Sequence, residues 1–199
     1  LLQEVEDKYA STAGGIVFGK GKEEYDLVKK QYLKSAVEVV LDVTNVSLQG
    51  LNDAYGKELK TFKTKLGESF DFKVNVKNPA SKQFQTMAKS LNKNATNFIE
   101  KTYGISESSQ KAMKELVKSM EPQKEELESI KAGYERLGLE IPESLQSALN
   151  EINWAEAMSG NVDAMYTLWA DEIANSPQKE HILKAIENET IDIPKKLKE

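Results

Sequence analysis

The sequence predicts a mostly α-helical protein, an elongated bundle of helical hairpins with tandem helix-turn-helix repeats and one short β-strand. Three observations predict this class. Apolar residues recur at spacings of three and four along most of the chain. A motif with two proline-containing parts occurs twice. Residues 70–76 alternate strictly between apolar and polar side chains, which is the period of a strand.

The duplicated motif is the most informative of these features. Pro-Gln-Lys-Glu occurs at residues 122–125 and again at 177–180, and each copy is followed by an Ile-Pro element, at 141–142 and at 193–194. Tandem helical units leave apolar faces that a neighbouring unit must cover. We therefore expect a structural scaffold, not an enzyme, and we expect the second copy to be cut short at Glu199.

Composition excludes several classes of site. The chain has 27 Lys and Arg against 32 Asp and Glu, a net charge of −5, which argues against specific nucleic-acid binding. It has no cysteine and one histidine, so we expect no metal site and no cofactor. No stretch is apolar enough to span a bilayer. Residues Leu1–Lys8 contain neither an initiator methionine nor a signal-peptide core, which favours an excerpt from a longer protein.

The chain divides into three predicted parts. Residues 1–24 form an N-terminal helix and a glycine-rich joint. Residues 25–120 form long amphipathic helices with the one strand, and residues 121–199 form the helical hairpin repeats.

Two apolar stripes mark the long helices. The first comprises Tyr25, Val28, Tyr32, Ala36, Val39 and Val43, widened by Val37, Val40 and Leu41. The second comprises Leu48, Leu51, Tyr55, Leu59, Phe62 and Leu66. The two stripes fit one long helix, whereas the poor helix formers and glycines near residues 44–50 favour a kink or break there.

The strand at 70–76 needs a partner, because a lone strand leaves its backbone groups unpaired. Residues 16–18 or a second copy of the chain are the candidates. After Pro79 the pattern predicts one helix that ends at Tyr103-Gly104. Shorter helices follow, whose predicted boundaries are Ser106, Pro122, Gly138, Ile141-Pro142, Asn153-Trp154, Ser159-Asn161 and Asn175-Pro177.

The residues that could suggest catalysis or ligand binding lack the neighbouring residues that such sites require. Residues 14–20 match a phosphate-binding loop as far as Lys20, but Gly21 replaces the hydroxyl residue that such a loop requires. His181 lacks a catalytic or ligand partner and is expected on the surface. We assign no catalytic, cofactor-binding or metal-binding residue. The candidate interaction surface consists of Leu48, Leu51, Tyr55, Leu59, Phe62, Leu66, Trp154 and Trp169, although tryptophans at amphipathic spacing also suit a core.

Residues 121–199 resemble the helical repeats near the C-terminal part of phage tail tape-measure proteins. Residues 138–145, Gly-Leu-Glu-Ile-Pro-Glu-Ser-Leu, match the turn of those repeats, and residues 190–197 match it with threonine in place of glycine. Residues 158–163 are similar to the linkers. The Gly-Ile that often follows Ile-Pro-x-x-Leu in the family is absent at Gln146.

The resemblance implies a virion structural protein of a phage or prophage, made in the bacterial cytoplasm and located in the tail. Coiled-coil-like copies of such a protein set the length of the tail tube and leave it before the DNA. The implied partners are further copies of the chain and the tail tube and baseplate proteins, with membrane contact only during ejection.

Two alternatives remain open. One is an intracellular helical adaptor whose groove, near Trp154 and Trp169, holds a partner helix. The other is an amphipathic protein that lies on a lipid or granule surface.

Overall fold

A computed structural model describes residues 20–188 and confirms a mostly α-helical fold with helical hairpins. In this range the helices are α1 (Lys20–Ser69), α2 (Ala80–Lys93), α3 (Ala95–Tyr103), α4 (Glu107–Ser119), α5 (Glu121–Arg136), α6 (Glu143–Met158), α7 (Val162–Asn175) and α8 (Lys179–Glu187). None of these helices has the length and hydropathy required to cross a bilayer.

The described residues form two compact units, each assembled from non-adjacent stretches of chain. The first unit contains residues 20–48 and 120–149, and the second contains residues 49–119 and 150–188. Both α1 and α6 contribute residues to each unit. The three-part division made from the sequence stays a prediction.

Helix α1 is continuous over its 50 residues, so the two stripes lie on one long helix, as one of the two interpretations predicted, and a break near residues 44–50 is wrong. Thr44, a poor helix former, is fully buried, and its hydroxyl donates a hydrogen bond to the carbonyl of Val40 at 2.7 Å. This bond satisfies the hydroxyl inside the helix.

Local end signals are confirmed at several helices. Gly104, directly after α3, and Gly138, two residues after the end of α5, adopt positive φ of 72° and 63°, as expected for glycines that terminate helices. The Ser106 hydroxyl accepts a hydrogen bond from the Ser109 amide at 3.2 Å at the start of α4. Pro122 lies in the first turn of α5.

Two predicted boundaries are wrong. The single helix expected from Pro79 to Tyr103 is divided at Asn94, whose extended backbone ends α2 and whose side chain accepts a hydrogen bond from the Asn97 amide at 3.0 Å. An asparagine oxygen that can cap a new helix competes with continuation of the old one. Conversely, Asn153-Trp154 does not interrupt α6, which continues to Met158.

The predicted strand at 70–76 is also wrong, since these residues form an irregular connection between α1 and α2. The Asn75 side chain accepts hydrogen bonds from the amides of Lys77 and Asn78, at 3.0 and 2.8 Å, and makes a turn there. Of the alternating face, Phe70 is buried, whereas Val74 and Val76 are exposed. The first two apolar residues of the pattern pack together, since the ring of the half-buried Phe72 lies 5.6 Å from the ring of Phe70 between centroids. The proposed partner segment at 16–18 lies outside the described residues.

The first unit has its core between the N-terminal part of α1, α5 and the beginning of α6. Its buried apolar side chains are Leu33, Val37, Val40, Leu41, Leu48, Met120, Leu127, Ile130, Tyr134, Leu145 and Ala148. Gly133 of α5 lies so close to α1 that a Cβ atom added there would be 2.8 Å from Leu33 Cδ2. A glycine at this contact therefore permits the close approach of two helices.

The second unit is organised around Trp169, which is fully buried. Four aromatic rings surround it in edge-to-face contacts with centroid distances of 5.3 to 5.9 Å, those of Phe70, Phe84, Phe98 and Tyr166. Such edge-to-face pairs add to the stabilisation that burial provides. The C-terminal helix α8 packs against α2 and α7 and closes this unit with buried Ile182 and Ile186.

The first part of the duplicated motif has a similar position in both copies. Both Pro-Gln-Lys-Glu segments lie at the start of a helix, α5 in the first unit and α8 in the second. The second Ile-Pro element and the glycine-rich segment that includes residues 14–19 lie outside the described residues.

Candidate functional site

A groove runs along the first unit between the N-terminal part of α1 and α5. Its volume is about 460 Å³, and its apolar lining comprises Tyr32, Ala36, Val39, Val40 and Ile130. Ser35, Ser129 and Glu126 provide polar atoms along its sides. The contact between Gly133 and Leu33 joins the same two helices and so fixes the spacing between the groove walls.

Exposed valines extend the apolar lining along α1. Val39, Val43 and Val46 are 66%, 51% and 74% exposed, although they follow one another at helical spacings of four and three. Single exposed apolar residues are ordinary on protein surfaces, whereas an exposed row beside an apolar groove indicates a binding surface.

The first stripe is buried on only one of its sides. The sequence placed Val39 and Val43 on one apolar face of the helix, widened by Val37, Val40 and Leu41. The widening residues are buried together with Leu33, whereas Val39 and Val43 are exposed. Because apolar residues cover a wide arc of α1, the pattern alone does not decide which part faces α5. The close packing of Gly133 against Leu33 decides which part of α1 faces α5.

Charge is sparse around the exposed valines. Between residues 35 and 52 the charged side chains are Glu38 and Asp42, in a chain in which 30% of residues are charged. Among the described residues, the groove lining contains Glu126 but no lysine or arginine. Depletion of charge at the centre of a surface patch is characteristic of protein interfaces.

The residues that the sequence nominated as an interaction surface lie mainly in the interior. Two of them, Tyr55 and Trp154, are half-buried. The other six are buried: Leu48, Leu51, Leu59, Phe62, Leu66 and Trp169. The Trp154 ring contacts Phe62 edge-to-face at 5.6 Å, and the ammonium group of Lys63 lies 5.4 Å from its centroid. These side chains contribute mainly to the interior, whereas Val39, Val43 and Val46 are exposed.

Titratable groups do not converge on a reaction centre in residues 20–188. No group of three or more metal-ligating side chains occurs in this range. His181 is exposed, as predicted, and lines a shallow depression of about 280 Å³ with Ser81, Gln85 and Lys184. A lone imidazole in an open depression provides neither a metal site nor an oriented acid-base pair.

Tyr103 is the buried titratable group with the most defined surroundings. Its hydroxyl lies 3.3 Å from the Ser69 hydroxyl and accepts a hydrogen bond from the Trp169 indole at 3.4 Å. Burial raises the pKa of Tyr103, an effect that outweighs these hydrogen bonds, and the charge of Glu172 adds to it.

This raised pKa predicts a loss of stability at alkaline pH. Below the ordinary tyrosine pKa of 10.0 the phenol is neutral in both folded and unfolded chains. Above it the unfolded chain ionises first, so the free energy of unfolding falls until pH passes the folded-state pKa. Urea unfolding at several pH values above 9 tests this, and Tyr103→Phe, which removes the ionisation, is expected to reduce the slope. Burial also raises the pKa of Tyr134, which would give a similar loss of stability. Equal slopes for the wild type and Tyr103→Phe would therefore contradict the assignment to Tyr103.

No family model, curated protein or solved structure matches this chain.

Proposed function

We propose that this chain is a structural segment of a phage or prophage tail, similar to the tape-measure proteins. The observation that supports the proposal is the duplicated motif, in which Pro-Gln-Lys-Glu lies at the start of a helix and an Ile-Pro element follows in the sequence. The Gly138 turn and the Ile141-Pro142 start of the next helix fit the helical-repeat pattern of that family.

In this role the helices supply length and lateral contacts, and no residue performs chemistry. Several copies lie in the lumen of the tail tube, contact tube and baseplate proteins, and leave before the DNA. A helix adds about 1.5 Å per residue, so the number of residues sets the tube length. The exposed valines of α1 are better suited to lateral contacts than the buried Leu48–Leu66 stripe.

An in-frame deletion tests the proposal in a phage that encodes the chain. Removing residues 122–176, one repeat, is expected to shorten the tail by up to about 80 Å, the length of the same residues as one continuous axial helix. A matched control replaces the same residues by an unrelated helical sequence of equal length, which should restore the wild-type length. Electron microscopy of purified particles measures both. An unchanged tail length in the deletion phage contradicts the proposal.

The groove between α1 and α5 favours one second candidate, a helical adaptor that holds a partner helix. The two functions differ in assembly. Light scattering and small-angle X-ray scattering on the purified protein distinguish a rod-like oligomer, expected for the tail segment, from a globular monomer, expected for the adaptor.

A further inference from the structure

We infer that the groove between α1 and α5 binds an amphipathic helix whose apolar stripe is flanked by lysine or arginine. The inference goes beyond the proposed function, because it depends on the groove alone and holds for a tail segment or an adaptor. Its occupant is a different protein chain, defined by the two properties that the groove selects.

The first property is the apolar spacing. The apolar residues along this side of α1 follow one another at intervals of four, three, four and three residues: Tyr32, Ala36, Val39, Val43 and Val46. This is the repeat of a helix that packs lengthwise against another helix. The matching surface is a helix of about four turns with apolar residues at the same alternating intervals. Ile130 of α5 lines the opposite wall and contacts the same stripe of the occupant.

The second property is charge. Glu126 of α5 lines the groove. Two further exposed carboxylates are Glu125, next to Glu126 on α5, and Asp42, next to the exposed Val43 on α1. Among the described residues that line the groove, none is a lysine or arginine, so no cation in the lining offsets Glu126. Carboxylates beside an apolar groove favour a partner with basic flanks and disfavour one with acidic flanks.

The same charges argue against two other occupants. A second copy docked through the same face would place the acidic side chains of one protomer against those of its partner. The first ten residues of this chain carry Glu4, Glu6 and Asp7 against Lys8, so their sequence lacks the basic flanks that the groove requires.

Two fluorescent synthetic peptides test the inference. Both carry leucines at the four-three spacing on a helix-favouring background, and they differ only in having lysine or glutamate at the flanking positions. Fluorescence anisotropy with the full chain is expected to show binding of the lysine peptide about tenfold tighter than binding of the glutamate peptide. Added salt should reduce this preference.

Three variants locate the binding. Val39→Asp should weaken the lysine peptide at least about tenfold, whereas Val76→Asp, at a fully exposed valine outside the groove, should have no effect. The double change Glu125→Lys and Glu126→Lys should reverse the preference between the peptides. Circular dichroism verifies that each variant keeps its helix content. Since all four positions are exposed, folding should be unaffected.

Each contrary outcome overturns the inference in a distinct way. Equal affinity for both peptides, or binding that survives Val39→Asp, shows that the groove is not a charge-selective helix site. A dimer in analytical ultracentrifugation that Val39→Asp dissociates assigns the face to a second copy. Tighter peptide binding after removal of residues 1–10 assigns it to the chain's own N-terminal segment. Tail-length measurements do not bear on any of these results.

Discussion

Replacement of Trp169 by alanine is expected to lower the free energy of unfolding by about 3–5 kcal/mol, the largest effect of any single substitution considered. The indole is fully buried and contacts four aromatic rings. Its loss leaves a cavity at the centre of the second unit and removes the hydrogen bond to Tyr103. Urea unfolding followed by far-ultraviolet circular dichroism measures the change.

Trp169→Phe is the matched control for this prediction. It keeps an aromatic ring in the cluster but removes part of the indole volume and the donor to Tyr103, so its cost should lie clearly below that of alanine. If the alanine variant loses less than about 1 kcal/mol, the aromatic cluster is not the centre of the second unit.

Replacement of Gly133 by valine is expected to destabilise the protein by about 1–3 kcal/mol through overpacking. Even a single added carbon lies 2.8 Å from Leu33 Cδ2 and 3.2 Å from Leu33 Cδ1, and Leu33 is itself fully buried. Either Leu33 leaves its position or α1 and α5 separate. Thermal or urea unfolding measures the loss, and weaker binding of the lysine peptide would report a changed groove.

Gly50→Val offers the same chemical change without the clash. Gly50 lies within α1, and an atom added there meets nothing within 4 Å. Since valine is a better helix former than glycine, this variant should be as stable as the wild type or more stable. A comparable loss at both positions would mean that the cost comes from the helix backbone and not from the contact with Leu33.

The sequence predicted the helical class and most helix ends because these depend on neighbouring residues. Gly104, Gly138 and Ser106 act through their own backbone or side chain, and each ends or begins a helix as expected. The strand prediction was wrong for the opposite reason. The alternation places Phe70 in the core and Phe72 half-buried beside it. A strand also requires a partner whose position the local sequence does not encode.

The groove was not predicted, because the apolar residues of α1 cover more of its circumference than one neighbouring helix can bury. Val39 and Val40 are adjacent and equally apolar, yet Val40 is buried and Val39 is exposed. Their difference depends on the side from which α5 approaches, and Gly133 permits that approach from a position far along the chain. The scarcity of charge between residues 35 and 52 was a usable signal, since it marks a surface that need not face water.

The interleaved make-up of the two units has a consequence for synthesis on the ribosome. Residues 20–48 must wait for residues 120–149 before their core can close, and much of the second unit's chain emerges in between. A nascent chain halted before α5 is made would therefore leave Leu33 and Val37 without their partners, a state in which chaperone binding is favoured.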